Sequence, residues 1–167
     1  ACDEFKPKPF NYFDTAKVKM AGQEIVISRT GFTAEIGWEY YVSPKTDTDL
    51  LWNHLMSIGE KYGLIHSGLD SMDIRRIEAG IMNSGSDFDL TMNPYQVGLG
   101  KFVDLNKDQF IGKEALEIAP KEKLILGVLC DKSEPMVLGE VSVNGENIGL
   151  ITAAAWSPYL KSGIGYV

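Results

Sequence analysis

The sequence predicts an α+β protein in which an antiparallel sheet with packed helices is followed by a smaller, all-β segment. Three observations lead there. Strand-forming runs flank the turn Ala21-Gly22-Gln23 and resume at Trp38, the pattern of antiparallel pairing. The window 45–62 carries apolar residues at helical spacing, and 67–79 reads as a second helix behind a Ser67 cap. From Leu124 onward the pattern turns to short alternating runs with Asn144-Gly145 between two of them, a strong signal for a tight hairpin.

Composition sets the outer limits. A chain of 167 residues can bury the core of one domain, or of one domain and part of another. It is 44% hydrophobic and 23% charged, ordinary values for a globular protein, with a formal net charge of −7. That sign argues against a nucleic-acid surface, which needs a basic patch. No apolar run approaches the ~20 residues that span a bilayer. The N-terminus is charged and bears prolines, unlike a signal peptide. Cys2 and Cys130 lie far apart and form no metal or redox spacing, and His54 and His66 are isolated. The expectation is a cytosolic, reduced protein with no metal site and no membrane partner.

Residues 1–9 read as a tail or boundary remnant, since two prolines close the segment. Phe10 to Arg29 reads as a β-hairpin, and 38–43 as a strand joining the same antiparallel sheet. Lys45 to Tyr62 is the clearest helix. Thr46, Asp47 or Thr48 can cap it, Leu51, Leu55 and Ile58 form its stripe, and Trp52 and Met56 broaden that stripe as core. Gly63 suits the left-handed stop. Ser67 to Ala79 is a second helix, with Ser67 as its cap. Leu69, Asp73 and Arg76 lie near one face. Arg75 and Arg76 point about 100° apart, so one can be buried while the other is solvated. Residues 81–97 are loop-rich. Their acidic run Asp87-Phe88-Asp89 is a solvated loop in the simpler reading and a cation site in the bolder one. A strand around Lys101-Phe102-Val103 and a short helix from Gly112 complete a domain over 10–119. Pro120-Lys121-Glu122-Lys123 is a charged linker. Strands at 124–129, 139–143 and 148–153 then begin an incomplete β-barrel over 120–167, whose unpaired edges need cover.

The run with most chemical content is Ile27-Ser28-Arg29-Thr30-Gly31-Phe32-Thr33-Ala34-Glu35-Ile36-Gly37-Trp38-Glu39-Tyr40-Tyr41-Val42. Gly31 and Gly37 bracket a loop and can supply backbone angles that other residues resist. Glu39 sits within an aromatic strand, where an acid costs free energy unless paired. It either points to water from an edge strand, or accepts two hydrogen bonds from a flat donor pair on a ligand such as an aminopyrimidinone ring. Tyr41, two residues on, shares its face.

This run resembles the SRTGYTGEDGFEIY motif of the glycine cleavage T protein (aminomethyltransferase) family. Three further segments match in order: GLDSMDIRRIEAG (68–80), NPYQVGLGKFVDLNKDQFIGKEAL (93–116) and ITAAAWSPYLKSGIGYV (151–167). The resemblance covers nearly the whole chain and implies the C-terminal portion of a longer, tetrahydrofolate-dependent one-carbon transferase. It implies a pterin ring against Phe32, with Glu39 accepting from the ring N–H and amino group, Tyr41 lining the pocket, and Arg76 serving the folate site or holding its geometry. The partner implied is a one-carbon donor, either a small molecule or a lipoyl-bound group on a carrier protein. The family's key catalytic aspartate lies in the half absent here, so no catalytic residue is assigned and the isolated chain is expected to lack transferase activity. Two departures stand out. Met72 replaces the first arginine of the family's G-A-R-D pattern, and Gly85-Ser86-Asp87-Phe88-Asp89 looks more like the dimethylsulfoniopropionate demethylase branch. A demethylase of a sulfonium or methylamine compound, or a non-catalytic folate-binding accessory protein, are the alternatives.

Overall fold

The structure is a computed structural model that describes residues 1–3 and 10–167. By internal contacts the chain forms two compact units, Ala1–Met72 and Asp73–Val167. Residues 73–119, which the sequence assigns with the first segment, lie in the unit that also holds the later strands.

In the first unit, β1 (Thr15–Met20) and β2 (Gln23–Ser28) pair antiparallel, with Val18 opposite Ile25. The turn between them places Ala21 and Gly22 at φ 48° and 73°, the left-handed pair that a two-residue hairpin demands. Alternation along the strands drives Val18, Met20, Ile25 and Ile27 to one face, where Leu51 joins them in a buried cluster. β3 (Glu39–Tyr41) adds to β2 as an edge strand, shorter than the expected 38–43. Of the expected tail, residues 4–9 lie outside the described residues. Ala1–Asp3 are tied down: the Asp3 amide donates to the Lys19 carbonyl (2.7 Å), and Asp3 Oδ2 accepts from the Gly22 amide (2.9 Å).

Helix α1 (Thr48–Gly59) starts at Asp47, whose carboxylate accepts from the Leu50 amide at 2.9 Å. A 3-10 turn, Glu60–Tyr62, prolongs it, and Gly63 ends it at φ 76°. That is the expected stop, for the expected reason. One expectation fails. Trp52 is not core but 53% exposed, whereas Leu51 is 5% exposed. Helix α2 (Leu69–Glu78) follows. Ser67, the expected cap, meets the Ser71 hydroxyl at 2.5 Å, and Ser71 donates back to the Gly68 carbonyl.

In the second unit, Ile77, Val97, Ile125, Ala153, Ala155, Ile164 and Tyr166 form the core. The expected strand at 101–103 is instead a 3-10 turn, Gly100–Phe102. The amides of Phe102 and Val103 are taken by carbonyls three residues back, and this local turn overrides a weak three-residue strand preference. Helix α3 (Lys113–Ile118) begins after Gly112, as expected. β4 (Gly127–Cys130), β7 (Ala153–Ser157) and β8 (Ser162–Tyr166) make a three-stranded antiparallel sheet in the order β4-β8-β7. β5 (Glu140–Val143) and β6 (Glu146–Leu150) form a separate hairpin through Asn144-Gly145, with φ 54° and 86°. The described strands do not close into a barrel. Sequence reading had not marked β7 and β8 as strands.

Candidate functional site

The register of β2 against β3 decides where Glu39 points. Ile27 pairs with Tyr40, and Ser28 with Glu39. Ile27 faces the core, so Tyr40 lies on that side of the sheet, although at the edge it is 40% exposed, and Glu39, Ser28 and Tyr41 share the opposite face. Burial pushes the Tyr40 phenol up, helped by neighbouring Cys2. Glu39 is exposed, yet it is not merely solvated. Its Oε2 accepts from Tyr41 Oη at 3.1 Å and from the Thr30 hydroxyl. The shared face of Glu39 and Tyr41, expected from period two, is present.

Thr30 reaches Glu39 because the loop between β2 and β3 is pinched at its neck. Gly31 and Gly37 meet backbone to backbone: a Cβ on Gly37 would lie 2.8 Å from the Thr30 carbonyl oxygen and 3.1 Å from Gly31 Cα. Neither glycine adopts positive φ; Ala34 does, at 59°. The expectation that these glycines supply unusual angles is thus corrected: they supply close approach. Arg29 Nη1 donates to the Gly37 carbonyl at 2.8 Å, and its guanidinium lies 5.0 Å from the Trp38 ring centroid and 5.5 Å from that of Tyr12. This brace fixes the loop that carries Phe32, which is half-buried.

Thr30 is the residue that sequence reading missed, although a signal existed. Ser28 and Thr30 alternate, so once Ser28 stands opposite Glu39, Thr30 continues the same face.

Arg76 belongs to the second unit and has a different setting. It is 4% exposed. Its Nε donates to Asp73 Oδ1 at 2.6 Å, its Nη1 to Asp87 Oδ2 at 2.6 Å and to the Ile81 carbonyl at 3.2 Å. Arg75 instead pairs with Glu78 at 2.6 Å, with its own side chain 44% exposed. The two adjacent arginines thus divide between inside and outside, as their helical phase requires. Asp87 is 1% exposed and serves as the counter-ion of Arg76, so the reading of the run as a solvated loop is corrected at that residue, while Asp89 stays exposed. Among the described residues, no group of three or more His, Cys, Asp or Glu side chains could hold a metal. Nor is any helix long and apolar enough to cross a membrane.

The family described as "GCVT N-terminal domain" matches residues 1–107. The chain belongs to that family. Its curated relatives include an aminomethyltransferase of Halothermothrix orenii, 39% identical over 160 residues, which cover 93% of this chain and 44% of that protein. One from Caldanaerobacter subterraneus subsp. tengcongensis is also 39% identical, over 93% of this chain and 42% of that protein. Among solved structures, the crystal structure of glycine cleavage system aminomethyltransferase T from Bartonella henselae aligns with a TM-score of 0.74 at 25% identity, covering 95% of this chain and 45% of that one. This GCVT-family chain therefore spans less than half the length of the relatives it matches, and the likeness runs through both compact units.

Proposed function

We propose that this chain is the folate-binding portion of a tetrahydrofolate-dependent aminomethyltransferase. The observation that carries the reading is the Glu39 carboxylate, held by two hydroxyls on an edge strand of a GCVT-family chain. Oε1 has no hydrogen-bond partner among the described residues. It is an acceptor suited to the N–H and NH₂ donors of an aminopyrimidinone ring. Phe32 supplies an aromatic wall, and Tyr41 both lines the site and holds Glu39. Arg76, in the second unit, spends Nε and Nη1 on Asp73, Asp87 and the Ile81 carbonyl, which supports a role in holding that unit's own geometry rather than in touching ligand. The site's work is orientation: a folate fixed in register with a bound one-carbon donor reacts as if within one molecule. No catalytic residue is assigned.

The names of the relatives favour an aminomethyl donor over a free sulfonium or methylamine, and the family resemblance implies that a lipoyl protein carries it. The segment 85–89, which suggested a demethylase, is occupied by the Arg76–Asp87 pair and says nothing of the donor. A cytosolic setting fits the pair of free cysteines.

Calorimetric titration of tetrahydrofolate into this chain and into Glu39→Gln tests the reading. The substitution keeps shape but replaces one acceptor oxygen with a donor, so binding should weaken by about 2 kcal/mol. Equal binding by both proteins would remove Glu39 from the site.

A further inference from the structure

We propose that Thr30 is a positioning residue for Glu39. With Tyr41 it pins Oε2, so that the carboxylate meets its ligand through Oε1. The proposal rests on the reading of Glu39 as the folate acceptor given above, and extends it to a residue outside the ligand's contacts.

The argument begins with the geometry of the hydroxyls. Thr30 Oγ1 lies within hydrogen-bond reach of Glu39 Oε2 and 3.0 Å from Ser28 Oγ. A threonine hydroxyl has one proton to give. The charged acceptor takes it, because a hydrogen bond to a carboxylate is roughly twice as strong as one between neutral groups. Ser28 Oγ is the competing acceptor for that proton. Ser28, on the same face as Glu39, is 3% exposed, so Thr30 is packed between a buried hydroxyl and the carboxylate. Tyr41 approaches the same Oε2 from along β3. Two donors on one oxygen leave the other oxygen as the open acceptor.

A glutamate on an exposed edge strand samples many rotamers, and freezing it on binding costs affinity. Here the freezing is done in advance by residues of the chain. The glycine neck makes this possible, since Gly37 packs against the Thr30 carbonyl and Gly31 without a side chain.

The test uses tetrahydrofolate as probe and five proteins: wild type, Thr30→Val, Thr30→Ser, Glu39→Gln, and Thr30→Val with Glu39→Gln. Valine keeps the branched shape and removes the hydroxyl; serine restores it. Thr30→Val should bind about tenfold more weakly, the effect of losing one hydrogen bond to a charged group, and Thr30→Ser should stay within about twofold of wild type. In the Glu39→Gln background, Thr30→Val should add little, because the carboxylate it positions is gone. A loss of the same factor in both backgrounds would make Thr30 a purely structural residue and overturn the proposal. So would unchanged binding by Thr30→Val. The Glu39 side-chain ¹³C resonance, read without ligand, separates the two layers. If Thr30→Val shifts that resonance but wild type binds no tetrahydrofolate, the folate reading fails and takes the ligand role of Thr30 with it. If wild type binds and the resonance does not move, only the Thr30 proposal fails.

Discussion

Arg76 and Asp87, eleven residues apart, form a buried ion pair at 2.6 Å with side chains 5% and 0% exposed. Taking two charges out of water costs several kcal/mol each unless the remaining donors and acceptors are filled. Here several are: Asp87 Oδ2 also accepts from the Asn83 amide at 2.7 Å, and Arg76 Nε and Nη1 also hold Asp73 and the Ile81 carbonyl. Burial works against the guanidinium charge, but the hydrogen bonds and charges of Asp73 and Asp87 outweigh it, and the Arg76 pKa is raised. Asp87→Ala should therefore destabilise the second unit by about 3–5 kcal/mol, because it strands a buried cation. Asp73→Ala, at a side chain 56% exposed, should cost under about 1 kcal/mol. Urea unfolding measures both, and equal costs would mean that burial does not govern this cluster.

Leu51 and Trp52 are neighbours on α1 with opposite fates. Leu51→Ala removes a side chain packed among Val18, Met20, Ile25 and Ile27 and should cost about 2–5 kcal/mol. Trp52→Ala, at a residue 53% exposed, should cost less than about 1 kcal/mol despite the larger deletion. Thermal unfolding of the two variants checks the order.

That contrast marks what the sequence can carry. The signals at Asp47, Gly63 and Asn144-Gly145 were legible because a cap, a left-handed stop and a tight turn depend on a few adjacent residues. The phase of the 51/55/58 stripe was legible too. Which apolar residue on a broadened stripe is covered depends on distant chain, so Trp52 was not. In the site, Glu39 and Tyr41 were readable from period two. Thr30 follows Ser28 at the same period, but that signal points to Glu39 only once the β2–β3 register is known, and the register forms in three dimensions. Asp87 was misread for a similar reason: an acidic run looks solvated until its buried partner is known.

β8 shows why some strands escape sequence reading. Gly163 and Gly165 weaken strand propensity, but a Cβ on Gly163 would lie 1.9 Å from the Ser133 carbonyl oxygen and 2.9 Å from Glu134 Cα. The obstacle is backbone and cannot swing aside. Gly163→Ala should destabilise by about 2 kcal/mol or more. Gly68 has nothing within 4 Å of its virtual Cβ, and Gly68→Ala should be neutral or stabilising by up to about 1 kcal/mol. Chemical denaturation of the pair tests whether crowding, rather than glycine's flexibility, sets the requirement.

Asp89 offers a check on acid behaviour. Its Oδ1 accepts from the Thr91 hydroxyl at 2.6 Å and the Thr91 amide at 2.8 Å, and these bonds hold its pKa below the usual aspartate value. A carboxylate depressed in the folded state contributes stability above its unfolded pKa, and that contribution is lost as pH falls through the folded value. Thr91→Val removes the larger of the two causes and leaves the amide. The ¹³C titration midpoint of Asp89 should then rise toward the ordinary range, and stability should fall off less steeply on the acid side. An unmoved midpoint would show that the hydroxyl bond does not persist in solution.

The glycine neck ties fold to site most directly. At Gly37 a methyl group meets the Thr30 carbonyl oxygen at 2.8 Å and Gly31 Cα at 3.1 Å, whereas at Gly31 the nearest neighbour, Gly37 Cα, is 3.4 Å away. The first set of contacts must give way, and both partners are backbone. The second is close to ordinary van der Waals distance. Gly37→Ala should therefore push Thr30 away from β3, cost about 1–3 kcal/mol in the first unit, and weaken tetrahydrofolate binding beyond what Thr30→Val alone does. Gly31→Ala should do markedly less on both counts. Calorimetry and thermal unfolding on the two alanine variants read the difference. If Gly31→Ala proved as damaging as Gly37→Ala, crowding at the Thr30 carbonyl would not be what shapes the neck.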